Sequence, residues 1–207
     1  TVEELFLLNK VLRGLGSGNV DFRPRHGDFS ADGKRAGTPW LGLKLAEIKN
    51  LDAALVVGSF LRKDHPLIAQ RLRQAAKKFT KVSLISVAGD DQLMKLHANL
   101  AVAPSQLAPT LAAVVKAAAE IKGAAVPAGL EGVTTCATSQ AIAQSLVDGE
   151  KRAVFLGNAA TQSADAGRLQ TLALELGKLT DASVGFLGEA ANTVGGYAAG
   201  VVPSGAN

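Results

Sequence analysis

The pattern of apolar and polar positions places a strand, a glycine turn and a helix in direct succession at two points of the chain. Within residues 53–78, an apolar run ends at Gly58 and a helical period begins at Asp64. Within residues 153–176, the same order recurs around Gly157. In parallel α/β domains such turns bring the carboxyl end of a strand and the amino end of a helix to one crevice, where ligands usually bind. The pattern predicts two crevices of the kind that holds nucleotides.

The same periods predict the remaining elements of an α/β domain. Helices are expected at residues 1–15, 44–50, 64–78, 107–122, 139–147 and 164–176. Strands are expected at residues 53–57, 82–87, 100–102 and 153–156, the first two joined by a right-handed parallel crossover. Residues 17–43, 124–133 and 177–207 lack periodicity, and the last of these predicts a glycine-rich tail that cannot stand alone.

Local signals refine two of these segments. Thr1 and Glu4 form the pattern of a capping box, and the face of the first helix carries Leu5, Leu8, Leu12 and Leu15. Because the chain opens at a helix cap, we expect it to be a piece of something longer. In the irregular segment, Trp40 is expected to hold the loop against the body of the protein.

The charge of the chain is unevenly distributed. The whole sequence has a net charge of +4, whereas residues 62–81 hold seven basic side chains and one acid, Asp64, for a net of +6. This concentration favours a solvated helix face over a nucleic-acid patch, because no aromatic side chains for base stacking alternate with the charges. No stretch approaches the ~18 consecutive apolar residues of a membrane helix, so we expect a soluble protein without direct membrane insertion.

Several kinds of chemistry are disfavoured by what the chain contains. One cysteine, Cys136, cannot form an internal disulfide or hold an iron–sulfur cluster alone, and the three histidines show no metal-ligand spacing. Cys136 is expected to be a small buried residue beside a helix start. Asp90 and Asp91 are expected in a solvated turn, since two carboxylates alone are weak evidence for a metal site.

The two glycine turns also lack the dinucleotide fingerprint. A G-x-G-x-x-G motif needs three glycines, and each turn has only its first. Beside the first turn, His65 and Pro66 could be interpreted as a general base at a helix start. The favoured interpretation is structural: Asp64 caps the helix, Pro66 lies in its first turn, and His65 lines a loop. Neither a catalytic residue nor a metal ligand is predicted.

Four co-linear segments nevertheless resemble a known family. Residues 56–67 with 71–77, residues 155–162 and residues 192–203 are similar to the molybdopterin oxidoreductases, in which a strand ends in glycine before His-Pro and a basic helix. Residues 15–21 and 34–42 resemble more closely the large peripheral subunits of bacterial proton-pumping NADH:quinone oxidoreductases, the enzymes known as respiratory complex I.

The resemblance implies an α/β fold with two adjoining Rossmann-like parallel-sheet layers. One domain would be discontinuous, formed by residues 1–42 and 150–207, and the other would be inserted between them, at residues 43–149. In active relatives the matching turns hold a pterin dinucleotide. Here they would form a vestigial cleft with no cofactor, made by eight residues: Gly58, Ser59, His65, Gly157, Gln162, Asn192, Gly195 and Gly196.

Departures from the family pattern fit the resemblance to the respiratory subunit, which implies that the cofactor is lost. Active members have Asp-Pro-Arg after the second strand, whereas this chain has residues 87–91 without it, and Ala159 replaces the second glycine of the later turn. The resemblance implies a scaffold without its own cofactor. Iron–sulfur clusters would lie in an N-terminal region of the parent subunit that this chain lacks.

The resemblance also implies partners and a location. The partners would be other peripheral-arm subunits of NADH:quinone oxidoreductase, not nucleic acid, and the parent complex would hold the chain in the cytoplasm, peripheral to the inner membrane. The alternative hypothesis is a stand-alone nucleotide-binding module or small dehydrogenase that uses the Gly58 crevice.

Overall fold

The computed structural model describes residues 1–34 and 37–203, so part of the 34–42 segment and the last four residues lie outside it. The described strands are β1 (Ala53–Val57), β2 (Lys81–Ser86), β3 (Ala98–Ala101), β4 (Arg152–Leu156) and β5 (Ser183–Phe186). They form one parallel sheet in the order β3-β2-β1-β4-β5. Ala53 at the start of β1 stands opposite Lys81 on one side and Arg152 on the other. The α/β class with a parallel sheet is confirmed.

The central strands are apolar along their length because helices cover the sheet on both faces. All five residues of β1 are buried, as are the last four of β4. The described helices are α1 (Val2–Gly14), α2 (Leu61–Asp64), α3 (Pro66–Ala76), α4 (Leu107–Lys122), α5 (Ala137–Asp148), α6 (Asn158–Thr161), α7 (Ala166–Thr180) and α8 (Thr193–Ala198). Short 3-10 helices occupy Leu45–Asn50 and Pro104–Gln106.

The two faces of the sheet are covered unequally. Helices α4, α5 and α7 pack together over one face, and their apolar side chains enclose the larger core. The other face is covered by α3, through Ala69 and Leu72, and by the 3-10 helix Leu45–Asn50, through Ile48. Helix α3 therefore has one buried side and one side without a neighbouring helix of the described chain.

The start of the basic helix differs from the prediction. Asp64 does not cap it; Asp64 is the last residue of α2, and His65 is the N-cap of α3 without a side-chain cap. Leu61 is buried against the core, and residues 61–64 form a separate helical turn, α2, before α3 begins. Pro66 does occupy the first turn, as expected.

Residues 177–203 are not an unstructured tail. Helix α7 continues to Thr180, β5 joins the edge of the sheet, and α8 follows. Periodicity missed β5 because it is an edge strand that is only partly buried and contains Gly185. A glycine is needed there because the Leu41 carbonyl contacts this position so closely that a Cβ has no room.

The first helix and the segment after it contact the last described residues of the chain. The capping box at Thr1 is present, and the Asn9 amide donates to the Ala199 carbonyl at 3.0 Å. The loop containing Trp40 is attached to the sheet edge, but through the main chain: the Phe186 N–H donates to the Trp40 carbonyl at 2.9 Å, while the indole is 49% exposed. Among the described helices, none is both long and apolar enough to cross a membrane.

The expected division into residues 1–42 with 150–207 and an inserted 43–149 stays a prediction. Within the described part of the chain, strands from both ranges are hydrogen-bonded in one sheet, through the β1–β4 pair.

Candidate functional site

The crevice predicted at the two glycine turns lies at the switch point of the sheet. From β1 the chain proceeds to β2 and β3 on one side, and later to β4 and β5 on the other. In open parallel sheets ligands bind beyond the carboxyl ends of the two strands where this reversal occurs. Gly58 follows β1 and Gly157 follows β4, so the sequence placed both turns correctly at this edge.

The turns at Gly58 and Gly157 contact each other directly, so that little space is left between them. The Gly58 carbonyl accepts N–H groups from Ala159 at 2.8 Å and from Ala160 at 3.3 Å, and the Gly157 N–H donates to the Val57 carbonyl at 2.8 Å. A Cβ added at Gly58 would lie 2.6 Å from the Ala160 nitrogen. The amides that open α6 are therefore satisfied by protein, and the switch point is closed by direct contact between the turns.

Ser59 and His65 connect this closed crevice to the loop that follows β5. The His65 Nε2 lies 3.2 Å from the Gly188 carbonyl, which can only accept, so Nε2 carries the proton. Nδ1 is then the acceptor for the Ser59 hydroxyl at 3.1 Å, and Ser59 is 5% exposed. Both ring nitrogens of His65 are used to join two loops, whereas the structural interpretation expected only that His65 lines a loop.

An open cavity lies next to the closed crevice, beyond β4 and β5. Its volume is about 520 Å³, and its apolar walls come mainly from Phe22, Phe29, Leu156, Phe186 and Leu187. It is bounded by the irregular loop at residues 22–32, the first turn of α7 and the segment that leads into α8.

The eight predicted cleft residues are divided between these two places. Gln162 and Asn192 line the cavity. Gly58, Ser59, His65 and Gly157 belong to the closed crevice, which is not part of the cavity lining. The last two residues have a packing role in α8: a Cβ on Gly195 would lie 2.5 Å from Val2, and one on Gly196 would lie 2.6 Å from the ring of Phe22.

An arginine cluster in the loop over the cavity was missed by the sequence analysis. Arg23 contacts Asp21 at 2.7 Å and Asp32 at 2.6 Å, and its guanidinium lies 3.8 Å from the centre of the Phe29 ring. Burial lowers the pKa of Arg23, but the hydrogen bonds to Asp21 and Asp32 raise the pKa by more, so the side chain stays charged. The close spacing of Asp, Arg and Phe within residues 21–32 is the sequence pattern that could have predicted this cluster.

The carboxylate of Asp28 lies at the amino end of helix α7, which is where a helix binds an anion. Its Oδ2 accepts the N–H of Gly167, in the first turn of the long helix α7, at 2.7 Å. Hydrogen bonds from the Ser30 hydroxyl and amide, and from the Gly167 amide, lower the pKa of Asp28. Beside it, Arg25 and Glu189 form an ion pair at 2.7 Å across the rim of the cavity.

The remaining candidates lie away from this edge. Cys136 is exposed, not buried as expected, because it is the N-cap of α5 and its Sγ accepts the Ser139 N–H at 3.4 Å. That N–H and the Ser139 hydroxyl lower the pKa of the thiol. Asp91 is exposed in the loop after β2, as predicted, whereas Asp90 is half-buried. In residues 1–34 and 37–203, no three His, Cys, Asp or Glu side chains are grouped as metal ligands.

Comparison with known proteins gives a family match. A family described as molybdopterin oxidoreductase matches residues 1–206. Among solved structures, the chain is similar to the formyltransferase/hydrolase complex (FhcABCD) from Methylorubrum extorquens, solved with methylofuran, at 18% identity and a TM-score of 0.45. That similarity covers 74% of this chain and 39% of the other chain. No curated protein matches this chain.

Proposed function

Because the chain belongs to the molybdopterin oxidoreductase family, we propose that it is part of the large peripheral subunit of an NADH:quinone oxidoreductase. In this proposal it is a non-catalytic scaffold in respiratory electron transfer. It holds no cofactor, contacts other peripheral-arm subunits, and lies peripheral to the inner membrane through the parent complex. The iron–sulfur clusters of that subunit would be carried outside residues 1–207.

The closed switch point is the observation that carries this proposal. The family's cofactor is a pterin dinucleotide, and the turns after β1 and β4 would have to separate to admit it. Here the Gly58 carbonyl accepts the amides of Ala159 and Ala160, so two donors that a phosphate would need are already used. The side chain of Ala160 also packs on Gly58. These contacts support a chain that does not hold the dinucleotide at this crevice.

The anion position on α7 gives independent support. The Asp28 carboxylate already accepts the Gly167 N–H, and the rim beside it is neutralised by the Arg25–Glu189 pair. A phosphate at this helix end would face a carboxylate with a lowered pKa, and like charges repel. Both helix starts at the carboxyl edge beyond β4 are therefore occupied by groups of the protein itself.

Purification from a host that makes pterin dinucleotides tests the proposed lack of cofactor. We expect molybdenum and iron, measured by plasma mass spectrometry, to be far below one atom per chain, and oxidised pterin fluorescence to be absent from the denatured protein. One molybdenum or one pterin per chain would overturn the proposal.

The proposed place in the complex needs a separate test. A strain in which these residues are deleted from the large subunit should fail to assemble the peripheral arm, as seen on native gels. The Gly58→Val variant in the full subunit should weaken assembly, because its side chain would separate the two turns. Normal assembly of the deletion strain would contradict the scaffold role.

The second candidate is a nucleotide-binding module, and the cavity of about 520 Å³ favours it. Gln162 and Asn192 offer amide groups that could hydrogen-bond a base, within walls that are mainly apolar. Calorimetry with NADH, NADPH and GTP decides between the candidates. A micromolar Kd that is lost in Gln162→Ala and kept in Gln140→Ala would favour the module, whereas no binding would favour the scaffold.

A further inference from the structure

The basic charge of this protein is concentrated on one exposed surface, which we call the α3 basic face. It is formed by Lys63, Arg73, Lys77 and Lys78, which are exposed, and by Arg71, which is half-buried. Residues 62–81 carry a net charge of +6 in a chain whose total is +4, so the rest of the molecule is slightly acidic. Among the described residues, none of these five side chains is in an ion pair with a carboxylate.

Helix formation does not account for this arrangement. Helix α3 contains no acidic residue, so its cations have no partner within the helix. Arg73 and Lys77 are one turn apart, and like charges at this spacing destabilise a helix. The helix dipole favours cations at the carboxyl end, which covers Arg73, Lys77 and Lys78. It does not account for Arg71, in the middle of α3, and Lys63 belongs to the separate short helix α2.

Two large apolar side chains are exposed at the ends of the same surface. Leu67, in the first turn of α3, is 71% exposed, and Phe79, three residues after its end, is 59% exposed. Ala69, Leu72 and Ala75 take up the buried side of the helix, so neither Leu67 nor Phe79 is needed for the core. Exposed apolar side chains beside arginines are typical of protein interfaces.

These features favour an acidic protein surface over a nucleic acid as the occupant. Binding of single strands uses aromatic rings placed between the cations, and Phe79 is the one Phe, Tyr or Trp among the described residues 62–81. Leu67 lies at the amino end of α3 and has no π-face to stack a base. Carboxylates flanked by apolar side chains would pair with the cations and cover Leu67 and Phe79 at the two ends of the face.

We propose that the α3 basic face is a docking surface for a protein partner that presents an acidic patch flanked by apolar side chains. The inference rests on charge and exposure alone, so it stands whether or not the proposed scaffold function is correct. It concerns the face of the sheet opposite to α4, α5 and α7, where α3 has no outer neighbour among the described helices.

Fluorescence anisotropy with defined probes tests the proposal. The probes are an amphipathic peptide with glutamates flanked by leucines, the same peptide with glutamine for glutamate, and a single-stranded and a duplex DNA of about 20 nucleotides, long enough to span the face. We expect the acidic peptide to bind, with an affinity that falls as salt rises. The glutamine peptide should not bind, and both DNAs should bind more weakly.

Variants separate the electrostatic and apolar contributions. Arg73→Gln with Lys77→Gln should weaken peptide binding about tenfold and flatten its salt dependence. The control is Lys122→Gln with Arg168→Gln, which removes the same charge from exposed positions elsewhere and should change the affinity less than about twofold. Leu67→Ser should weaken binding while the salt slope stays unchanged.

The outcomes that overturn the proposal are distinct. Tighter binding of DNA than of the acidic peptide, with no effect of Leu67→Ser, would identify a nucleic-acid surface. Equal weakening by the control pair would show that only net charge matters. Absence of binding by every probe would leave a solvated helix face. Circular dichroism of each variant confirms that it is folded, and none of these results bears on cofactor content.

Discussion

Gly58 illustrates how a single position can decide what a crevice holds. Its φ is +63°, in the left-handed region that favours glycine, and its missing Cβ leaves room for Ala160. The sequence located this glycine and assigned it correctly to a turn at a strand end. It could not show that the neighbouring turn would take the space, because that contact joins residues about 100 positions apart along the chain.

Replacing Gly58 by alanine should destabilise the protein strongly. The left-handed backbone and the contact with Ala160 together are expected to reduce the free energy of unfolding by about 2–4 kcal/mol. Urea denaturation followed by circular dichroism measures the change. Gly89→Ala is the matched control, since an added Cβ there has nothing within 4 Å and its φ is not in the left-handed region. Equal stability of the two variants would contradict the proposed close contact.

Asp28 should stabilise the protein in a way that depends on pH. Its pKa is lowered in the folded state, so its contribution is present above the ordinary carboxyl pKa and is lost as the pH falls through the lowered value. Asp28→Asn should therefore reduce the free energy of unfolding at pH 7 by about 1 kcal/mol or less, given the exposure of the loop. The difference from the natural protein should shrink as the pH falls below about 4.

The comparison for Asp28→Asn is Asp64→Asn, which removes the same charge at an exposed position that makes no ion pair among the described residues. Its stability at pH 7 should differ little from that of the natural protein. A penalty at pH 7 that is the same for both variants would show that Asp28 acts through net charge and not through the Gly167 amide.

At the scale of elements, burial decides which predictions from the sequence were correct. Strands β1 and β4 and helix α4 were located to within about two residues because both faces of these strands, and most of the helix, are buried. Strand β5 and helix α8 were missed because they are short, glycine-containing and partly exposed. Their positions are fixed by contacts with residues 22–43, which no local pattern reveals.

Two leucines on different helices should respond very differently to truncation. Leu111 of α4 is fully buried in the larger core, so Leu111→Ala should lower the free energy of unfolding by about 2–5 kcal/mol. Leu67 of α3 is 71% exposed, so Leu67→Ala should change the free energy of unfolding by less than about 0.5 kcal/mol. Chemical denaturation of both variants makes the comparison. A large loss at Leu67 would mean that it packs within the monomer.

At the scale of the molecule, the pairing of β1 with β4 joins the two ranges that the sequence analysis assigned to separate domains. We expect these residues to unfold in one transition, because separating the ranges would break the most buried strand pair of the sheet. Trp40 fluorescence, which reports on the first range, and far-UV circular dichroism, which reports on all helices, should give the same urea midpoint. Two separate midpoints would favour two independent domains.

The bonds from Asn9 and Asp28 to residues much later in the sequence affect how the protein is made. Asp28 and Asn9 bond to partners 139 and 190 positions later. At a synthesis rate of about 5–20 residues per second, these partners leave the ribosome roughly 7–40 s after the segment that needs them. Until then this stretch of the nascent chain stays uncovered, with Phe22 and Phe29 accessible to chaperones. A segment that is synthesised early therefore has to wait for partners that are synthesised late.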